Sequence, residues 1–141
     1  MKRRYLIASH GRLASGLQHS LEVLTGRGEE FAVIDAYVDD SDYTEVLVGF
    51  VNQLHEDEQG LIFTDLLGGS VNQKVVQTLM DNPKDNVLLI SNINLATILS
   101  LAYAKPDEAL TLEDIHQVVA ESQVTAVDLA LNNNDEADFF D

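Results

Sequence analysis

Short apolar runs alternate with segments of helical periodicity along most of this chain. Four of the runs predict buried β-strands, which cover residues 5–8, 31–38, 60–65 and 86–91. A segment with apolar residues at helical spacing follows each strand, and the first of these carries Leu13, Leu17, Leu21 and Leu24. A further helix is predicted over residues 111–121.

Two polar residues are predicted to cap helices. Asp42 stands three residues before Glu45, which is the spacing of a capping box at the start of the second helix. Ser70 opens the helix predicted over residues 70–80, where serine is a favoured N-cap residue.

The alternation of strands and helices predicts an α/β fold with a doubly wound, mainly parallel four-stranded sheet and helices on both faces. Crossovers between parallel strands are nearly always right-handed, so successive helices are placed on the sheet in a defined way. In such folds a ligand binds beyond the carboxyl ends of the strands, at the point where the strand order reverses. The predicted fold therefore directs attention to residues that directly follow strands.

The end of the chain is less regular. Residues 124–131 fit either an extension of the helix at 111–121 or a final strand, and their periodicity does not decide between the two. Residues 132–141 are expected to form an acidic, disordered tail. The length of 141 residues predicts a single domain, which we assign to residues 1–131.

Composition narrows the classes of function. The chain has 8 Lys and Arg against 24 Asp and Glu, a net charge of -16, so nucleic acid binding is not expected. Such a charge would favour encounter with a basic partner protein. The chain contains no cysteine, which excludes disulfides and thiolate nucleophiles. The apolar run near the N-terminus is too short for a secretory signal, so a cytoplasmic location is expected.

Two loops carry the candidate chemistry, and each directly follows a predicted strand. The first is Ser9-His10-Gly11, and the second is TDLLGGS at residues 64–70. Because the carboxyl ends of parallel strands lie at one edge of a sheet, the two loops should meet there.

His10 is the candidate nucleophile in the first loop. A neutral imidazole has one protonated nitrogen and one free lone pair. A carboxylate that accepts a hydrogen bond from the protonated nitrogen fixes the tautomer and leaves the other nitrogen as an oriented nucleophile. Asp65, at the end of the third predicted strand, is the candidate for that carboxylate and would also stabilise the charge of a substituted imidazole.

The second loop predicts an anion site. Glycines allow close approach of the backbone to a ligand, and the first amides of the following helix have no partner inside it. The residues predicted to bind phosphate are Gly11, Arg12, Gly68, Gly69 and Ser70. A nucleophilic histidine beside an anion site indicates phosphoryl transfer through phosphohistidine.

No cofactor or metal is expected in this reaction. The chain lacks both a P-loop lysine pattern and a dinucleotide fingerprint, so the donor is expected to be another protein rather than a nucleotide. The acidic residues at 39–42 lack the glycine and the terminal glutamate of a calcium loop.

The two loops resemble those of the IIA component of the mannose-type sugar phosphotransferase system. That family ends a strand in THG or SHG and later carries a D-x-x-GGS loop, which here are Ser9-His10-Gly11 and residues 65–70. Residues 91–104 are also similar to the fourth strand and following helix of that family. The resemblance covers roughly the first 120 residues, the size of a domain.

The resemblance implies a phosphotransferase that relays a phosphoryl group. His10 would accept it from the phosphocarrier protein HPr and donate it to a IIB component, and membrane-embedded IIC and IID components would be served indirectly. By matching position, Asp65 would orient His10 and Ser70 would lie near the phosphate. The family is dimeric and can exchange a C-terminal strand between subunits, so a homodimer is expected, with residues 124–131 as the candidate for a fifth, antiparallel strand.

One departure from the family pattern is Val71-Asn72, where many members have Pro-Phe after GGS. Valine at the first helical turn is compatible with the same chemistry, so the departure concerns the subfamily and its sugar. The IIB partner is expected to be a separate chain.

Two alternative functions remain open at this point. One is a regulatory phosphoacceptor module that keeps the same fold. The other is a histidine phosphatase, in which a strand ends in RHG. Ser9 stands where that arginine would be, and no second histidine lies in a comparable loop.

Overall fold

A four-stranded parallel sheet forms the centre of the computed structural model, which describes residues 2–130. The strands are β1 (Lys2–His10), β2 (Phe31–Ala36), β3 (Glu58–Thr64) and β4 (Val87–Ile90). The helices are α1 (Leu13–Thr25), α2 (Thr44–Asn52), α3 (Ser70–Asp81), α4 (Leu95–Tyr103) and α5 (Leu112–Glu121), and a short 3-10 turn covers Gly28–Glu30. None of the helices within residues 2–130 is both long and apolar enough to cross a membrane.

The strand order β2-β1-β3-β4 places a topological switch point between β1 and β3. From β1 the chain runs outward to β2 at one edge and then returns across β1 to form β3 and β4 on the other side. In the parallel register, Ala8 of β1 pairs with Thr64 of β3. The carboxyl ends of β1 and β3 therefore lie side by side, and the predicted fold class is confirmed.

Helices cover both faces of the sheet, as predicted. Adjacent residues of β1 point to opposite faces and are buried on both, which explains its continuous apolar run. On one face, Tyr5 and Ile7 belong to a core cluster with Ala14 and Leu21 of α1, Ile98 and Leu101 of α4, and Ile115 of α5. On the other face, Leu6 and Ala8 belong to a cluster with Leu47 and Val51 of α2 and Val71 and Val75 of α3.

The ends of three strands differ from the prediction in ways that affect the site. β1 continues to His10, so this residue is the last of the strand rather than part of a loop. β2 ends at Ala36 because Tyr37 has a φ of 67°, which is incompatible with an extended strand. β3 ends at Thr64, and Asp65 is the first residue beyond it.

The predicted caps at Asp42 and Ser70 are wrong. α2 begins at Thr44 with Tyr43 at its N-cap position. The Asp42 carboxylate lies one position before the N-cap and accepts hydrogen bonds from the amide and hydroxyl of Thr44, the first residue of α2, at 2.9 and 2.6 Å. Gly69 occupies the N-cap position of α3, so Ser70 is the first helical residue and its hydroxyl is not used as a cap.

Residues 124–128 do not extend the preceding helix, and the final strand predicted for residues 124–131 stays a prediction that concerns a second copy of the chain. α5 ends at Glu121, and residues 124–128 belong to no helix or strand. Leu131 and the predicted acidic tail at 132–141 lie outside the described residues.

Candidate functional site

His10 and Asp65 meet at the switch point of the sheet, where the strand order predicts a ligand site. Oδ2 of Asp65 lies 2.9 Å from Nδ1 of His10 and also accepts the His10 backbone N–H at 2.8 Å. The Asp65 side chain is 8% exposed, whereas the His10 side chain is 38% exposed. One carboxylate oxygen thus holds both the backbone and the ring of a histidine that still faces solvent.

This contact fixes which ring nitrogen of His10 keeps a free lone pair. Burial opposes ionisation of Asp65, but hydrogen bonds from the His10 backbone and side chain outweigh it and lower the pKa of Asp65. An ionised carboxylate can only accept hydrogen bonds, so the proton of a neutral His10 ring belongs on Nδ1. The lone pair is then on Nε2, the nitrogen that points away from Asp65.

Ser70 lies beside that lone pair. Its Oγ is 3.1 Å from Nε2 of His10 and 2.8 Å from the hydroxyl oxygen of Tyr37. The same hydroxyl that was predicted to cap α3 thus belongs to the histidine site. Because Ser70 is the first residue of α3, the amides of the first helical turn, which have no partner inside the helix, start at this point.

The loop between β3 and α3 is built around two glycines. Gly68 has a φ of 80°, which disfavours any residue with a side chain. A Cβ atom on Gly69 would lie 3.3 Å from Cε1 of His10 and 3.2 Å from Leu66. The imidazole therefore packs directly against the backbone of this loop, and a larger residue would displace it.

Side chains outside the loop hold it in place. Oδ1 of Asn92 accepts the Leu67 amide at 2.7 Å, and Nε2 of Gln73 donates to the Gly68 carbonyl at 2.7 Å. Ser9 does the same for the loop after β1, because its buried Oγ accepts the Ala14 amide of α1 at 2.7 Å.

The structure brings together some of the predicted site residues and leaves others at the margin. His10, Asp65, Gly69 and Ser70 are in contact, as described above. Gly11 donates its amide to the Ala36 carbonyl at 2.7 Å and so joins the ends of β1 and β2. Arg12 is the N-cap residue of α1, and its side chain is exposed. Within residues 2–130, no hydrogen bond or ion pair connects its guanidinium with His10.

Sequence reasoning missed Tyr37 and Asn92. Tyr37 directly follows β2, and its ring centroid lies 5.4 Å from that of His10. Asn92 lies two residues beyond β4. Both follow strands of the same parallel sheet, and this position was the available signal. Tyr37 was instead assigned to the strand, because apolar periodicity does not reveal a turn with positive φ.

A metal centre is not formed by the described residues 2–130, in which no group of three or more His, Cys, Asp or Glu side chains is arranged to hold an ion. The described site offers an imidazole, a carboxylate, two hydroxyls and backbone amides.

Comparison with known proteins links this chain to one family. The family model EIIA-man, described as PTS system fructose IIA component, matches residues 4–119. No curated protein sequence matches the chain significantly.

Solved structures with the same fold include three from sugar phosphotransferase systems. A Klebsiella pneumoniae protein assigned as a phosphoenolpyruvate-dependent sugar phosphotransferase system permease is 28% identical, with a TM-score of 0.68 over 97% of this chain and 89% of that chain. The PTS IIA protein associated with the fucose utilization operon of Streptococcus pneumoniae is 22% identical, with a TM-score of 0.71 over 89% and 93%. The mannose/sorbose specific IIA subunit of Enterococcus faecalis is 23% identical, with a TM-score of 0.67 over 92% and 97%.

Proposed function

Because the chain belongs to the EIIA-man family of phosphotransferase system IIA components, we propose that His10 carries a phosphoryl group from phosphorylated HPr to a separate IIB component. The observation that supports this most directly is the orientation of His10. Asp65 binds Nδ1, and Nε2 is left as the nucleophile on an exposed edge of the sheet.

The transfer needs no group beyond these side chains and the donor. The bond between phosphorus and the donor nitrogen breaks as a bond to Nε2 of His10 forms. Nε2 carries no proton in the tautomer that Asp65 favours, so none has to leave. The phosphorylated imidazole is positively charged, and the Asp65 carboxylate 2.9 Å from Nδ1 stabilises that charge.

The surroundings of the site suit a protein donor and a protein acceptor. Leu13 begins α1, and Leu66 and Leu67 lie in the loop between β3 and α3; all three are exposed and offer apolar surface for contact. The net charge of -16 would speed encounter with a basic carrier. Gly11, Arg12, Gly68, Gly69 and Ser70 remain the proposed phosphate-binding residues. In this proposal the chain acts in the cytoplasm, and the membrane components IIC and IID receive its phosphoryl group only through IIB.

We also propose a homodimer. Val124, Val127 and Leu129 lie in the segment after α5 and are exposed, although apolar residues gain free energy from burial. β4 is at the edge of the sheet and can accept another strand from a second copy.

The relay is tested by transfer of labelled phosphate from phosphorylated HPr. We expect an acid-labile, base-stable label on the chain, its loss in His10→Asn, and discharge to the IIB component. His19→Asn is the matched control, because His19 is an exposed histidine of α1. Persistent labelling of His10→Asn would contradict the assignment.

The same experiment separates the alternatives. Release of inorganic phosphate in the absence of IIB would favour a histidine phosphatase. A stable label that IIB does not remove, with binding partners that change on phosphorylation, would favour a regulatory module.

A further inference from the structure

Tyr37 forms the outer end of a hydrogen-bonded row that leads to the nucleophile. Its hydroxyl oxygen is 2.8 Å from Oγ of Ser70, and that oxygen is 3.1 Å from Nε2 of His10. Tyr37 also has a φ of 67°, which is uncommon for a bulky residue. Such a conformation persists only where the surroundings hold it, and it occurs frequently at functional sites.

The direction of these hydrogen bonds follows from the chemistry of the groups. The Asp65 carboxylate only accepts, so the proton of the neutral His10 ring is on Nδ1 and Nε2 accepts. Ser70 has one hydroxyl proton, which it must donate to Nε2 in order to form that bond. Ser70 Oγ can then only accept from Tyr37. The Tyr37 hydroxyl is therefore the donor that sets the orientation of Ser70.

Tyr37 is itself held by its neighbours. Its ring packs edge-on against Tyr43, with centroids 6.3 Å apart. Nζ of Lys74 lies 4.5 Å from the centroid of the Tyr43 ring and 3.0 Å from an oxygen of Asp42. Residues from the loop before α2 and from α3 thus fix the position of the Tyr37 side chain.

We propose that Tyr37 is a positioning residue for phosphoryl transfer, and that its hydroxyl directs the Ser70 hydroxyl first to Nε2 and then to the phosphoryl group bound there. This inference rests on the proposed function of His10. In the resting protein Ser70 donates a hydrogen bond to the Nε2 lone pair, which is the lone pair that must attack phosphorus. When the bond between Nε2 and phosphorus forms, that proton turns to a phosphoryl oxygen and stays on Ser70, while Tyr37 continues to donate to Ser70 Oγ.

Tyr37 does not stabilise the resting and the phosphorylated protein equally. A hydrogen bond to a charged phosphoryl oxygen is stronger than one to a neutral imidazole nitrogen. A hydroxyl that also accepts a hydrogen bond is a better donor, because neighbouring hydrogen bonds polarise one another. Tyr37 therefore stabilises the phosphorylated state more than the resting state.

The test compares Tyr37→Phe with Tyr103→Phe. Both substitutions remove one hydroxyl and keep the ring, and Tyr103 lies on α4, where its ring contacts the Arg27 guanidinium. The measured quantity is the equilibrium distribution of labelled phosphate between HPr and the chain. We expect Tyr37→Phe to shift it towards HPr by roughly three- to tenfold, the effect of one hydrogen bond. Tyr103→Phe should match the wild type.

A second measurement does not depend on phosphorylation. In the 15N NMR spectrum of the resting protein, the Nε2 resonance of His10 should move in Tyr37→Phe while Nδ1, which is held by Asp65, stays in place. A general loosening of the site would move both. In a Ser70→Ala background, Tyr37→Phe should have no further effect on the phosphate equilibrium, because the connecting hydroxyl is already absent.

The outcomes separate this inference from the proposed function. If the wild type takes no phosphate from HPr, both are wrong. If the wild type is phosphorylated and Tyr37→Phe leaves the equilibrium and the Nε2 resonance unchanged, only the role of Tyr37 is overturned. An equal shift in Tyr103→Phe would likewise overturn it.

Discussion

At the scale of single residues, the site depends on one oxygen that accepts two hydrogen bonds. Oδ2 of Asp65 lies 2.8 Å from the backbone nitrogen of His10 and 2.9 Å from its Nδ1. Oδ1 accepts the Leu66 amide at 3.0 Å, so both oxygens of the carboxylate are used. The same side chain therefore anchors the end of β1, the start of the loop after β3 and the imidazole ring of His10.

Asp65→Asn should slow phosphoryl transfer to His10 by at least about a hundredfold. The amide is isosteric, but it carries no charge to stabilise a phosphorylated imidazole, and its NH₂ group can favour the wrong ring tautomer. The rate is measured by rapid mixing with phosphorylated HPr. Asp40→Asn is the control, because it removes one exposed negative charge from the acidic loop at 39–42. A rate for Asp65→Asn within threefold of the control would contradict the orienting role.

The contact between His10 and Asp65 was predictable because each residue stands at the carboxyl end of a predicted strand. Parallel neighbouring strands place their carboxyl ends at one edge, whatever the side chains are. The position of Tyr37 could not be derived in this way. It depends on a single backbone dihedral of 67°, and no periodicity of apolar residues encodes that turn. The sequence thus predicts that His10 and Asp65 lie together, but it does not predict the Tyr37 hydroxyl beyond Ser70.

At the scale of helices, the caps show where local sequence rules hold and where they fail. α5 has a complete capping box: the Thr111 amide donates to an oxygen of Asp114 at 2.9 Å, and the Asp114 amide donates to the Thr111 hydroxyl at 3.0 Å. The serine at the start of α3 does not cap because its hydroxyl is engaged by His10 and Tyr37. Tertiary contacts at a functional site thus override a local preference that holds elsewhere in the chain.

The capping box of α5 makes part of the stability dependent on pH. The Asp114 carboxylate also accepts from Nζ of Lys105 at 2.8 Å, and this bond is the main reason why the pKa of Asp114 is lowered to about 2. A carboxyl group whose pKa is lower in the folded than in the unfolded state stabilises the fold. This stabilisation is fully present at pH values above the pKa of the unfolded state. Its contribution is lost as pH falls from about 4 through 2.

Asp114→Asn should therefore be less stable than the wild type at neutral pH, and the difference should shrink as pH falls through this range. Thr111→Ala, which removes the hydroxyl partner, should cost about 1 kcal/mol at neutral pH. Urea unfolding at several pH values measures both. Glu113→Gln is the control for charge, since Glu113 is an exposed residue of the same helical turn. A difference between Asp114→Asn and wild type that stays constant down to pH 2 would contradict this linkage.

At the scale of the whole molecule, the charge and the segment after α5 determine how copies of the chain would associate. A net charge of -16 on each chain opposes dimerisation, and salt screens this repulsion. The apolar residues Val124 and Val127 are 90% and 58% exposed, so burying them against a second copy would favour it. The proposed homodimer is thus a balance between apolar burial and electrostatic repulsion.

Sedimentation velocity tests this balance through its dependence on salt. The wild type should be dimeric at micromolar concentration. Its dimer dissociation constant should decrease when the salt concentration is raised from about 0.02 to 0.5 M, because salt screens the repulsion. Val127→Asp should weaken the dimer by more than about tenfold at either salt, because it places a charge in an apolar contact. Val46→Asp is closely matched, since Val46 lies on α2 and is 55% exposed. It adds the same charge elsewhere and should weaken the dimer only slightly, and more at low salt. A monomeric wild type at high salt, or equal effects of the two substitutions, would show that the segment after α5 does not form the interface.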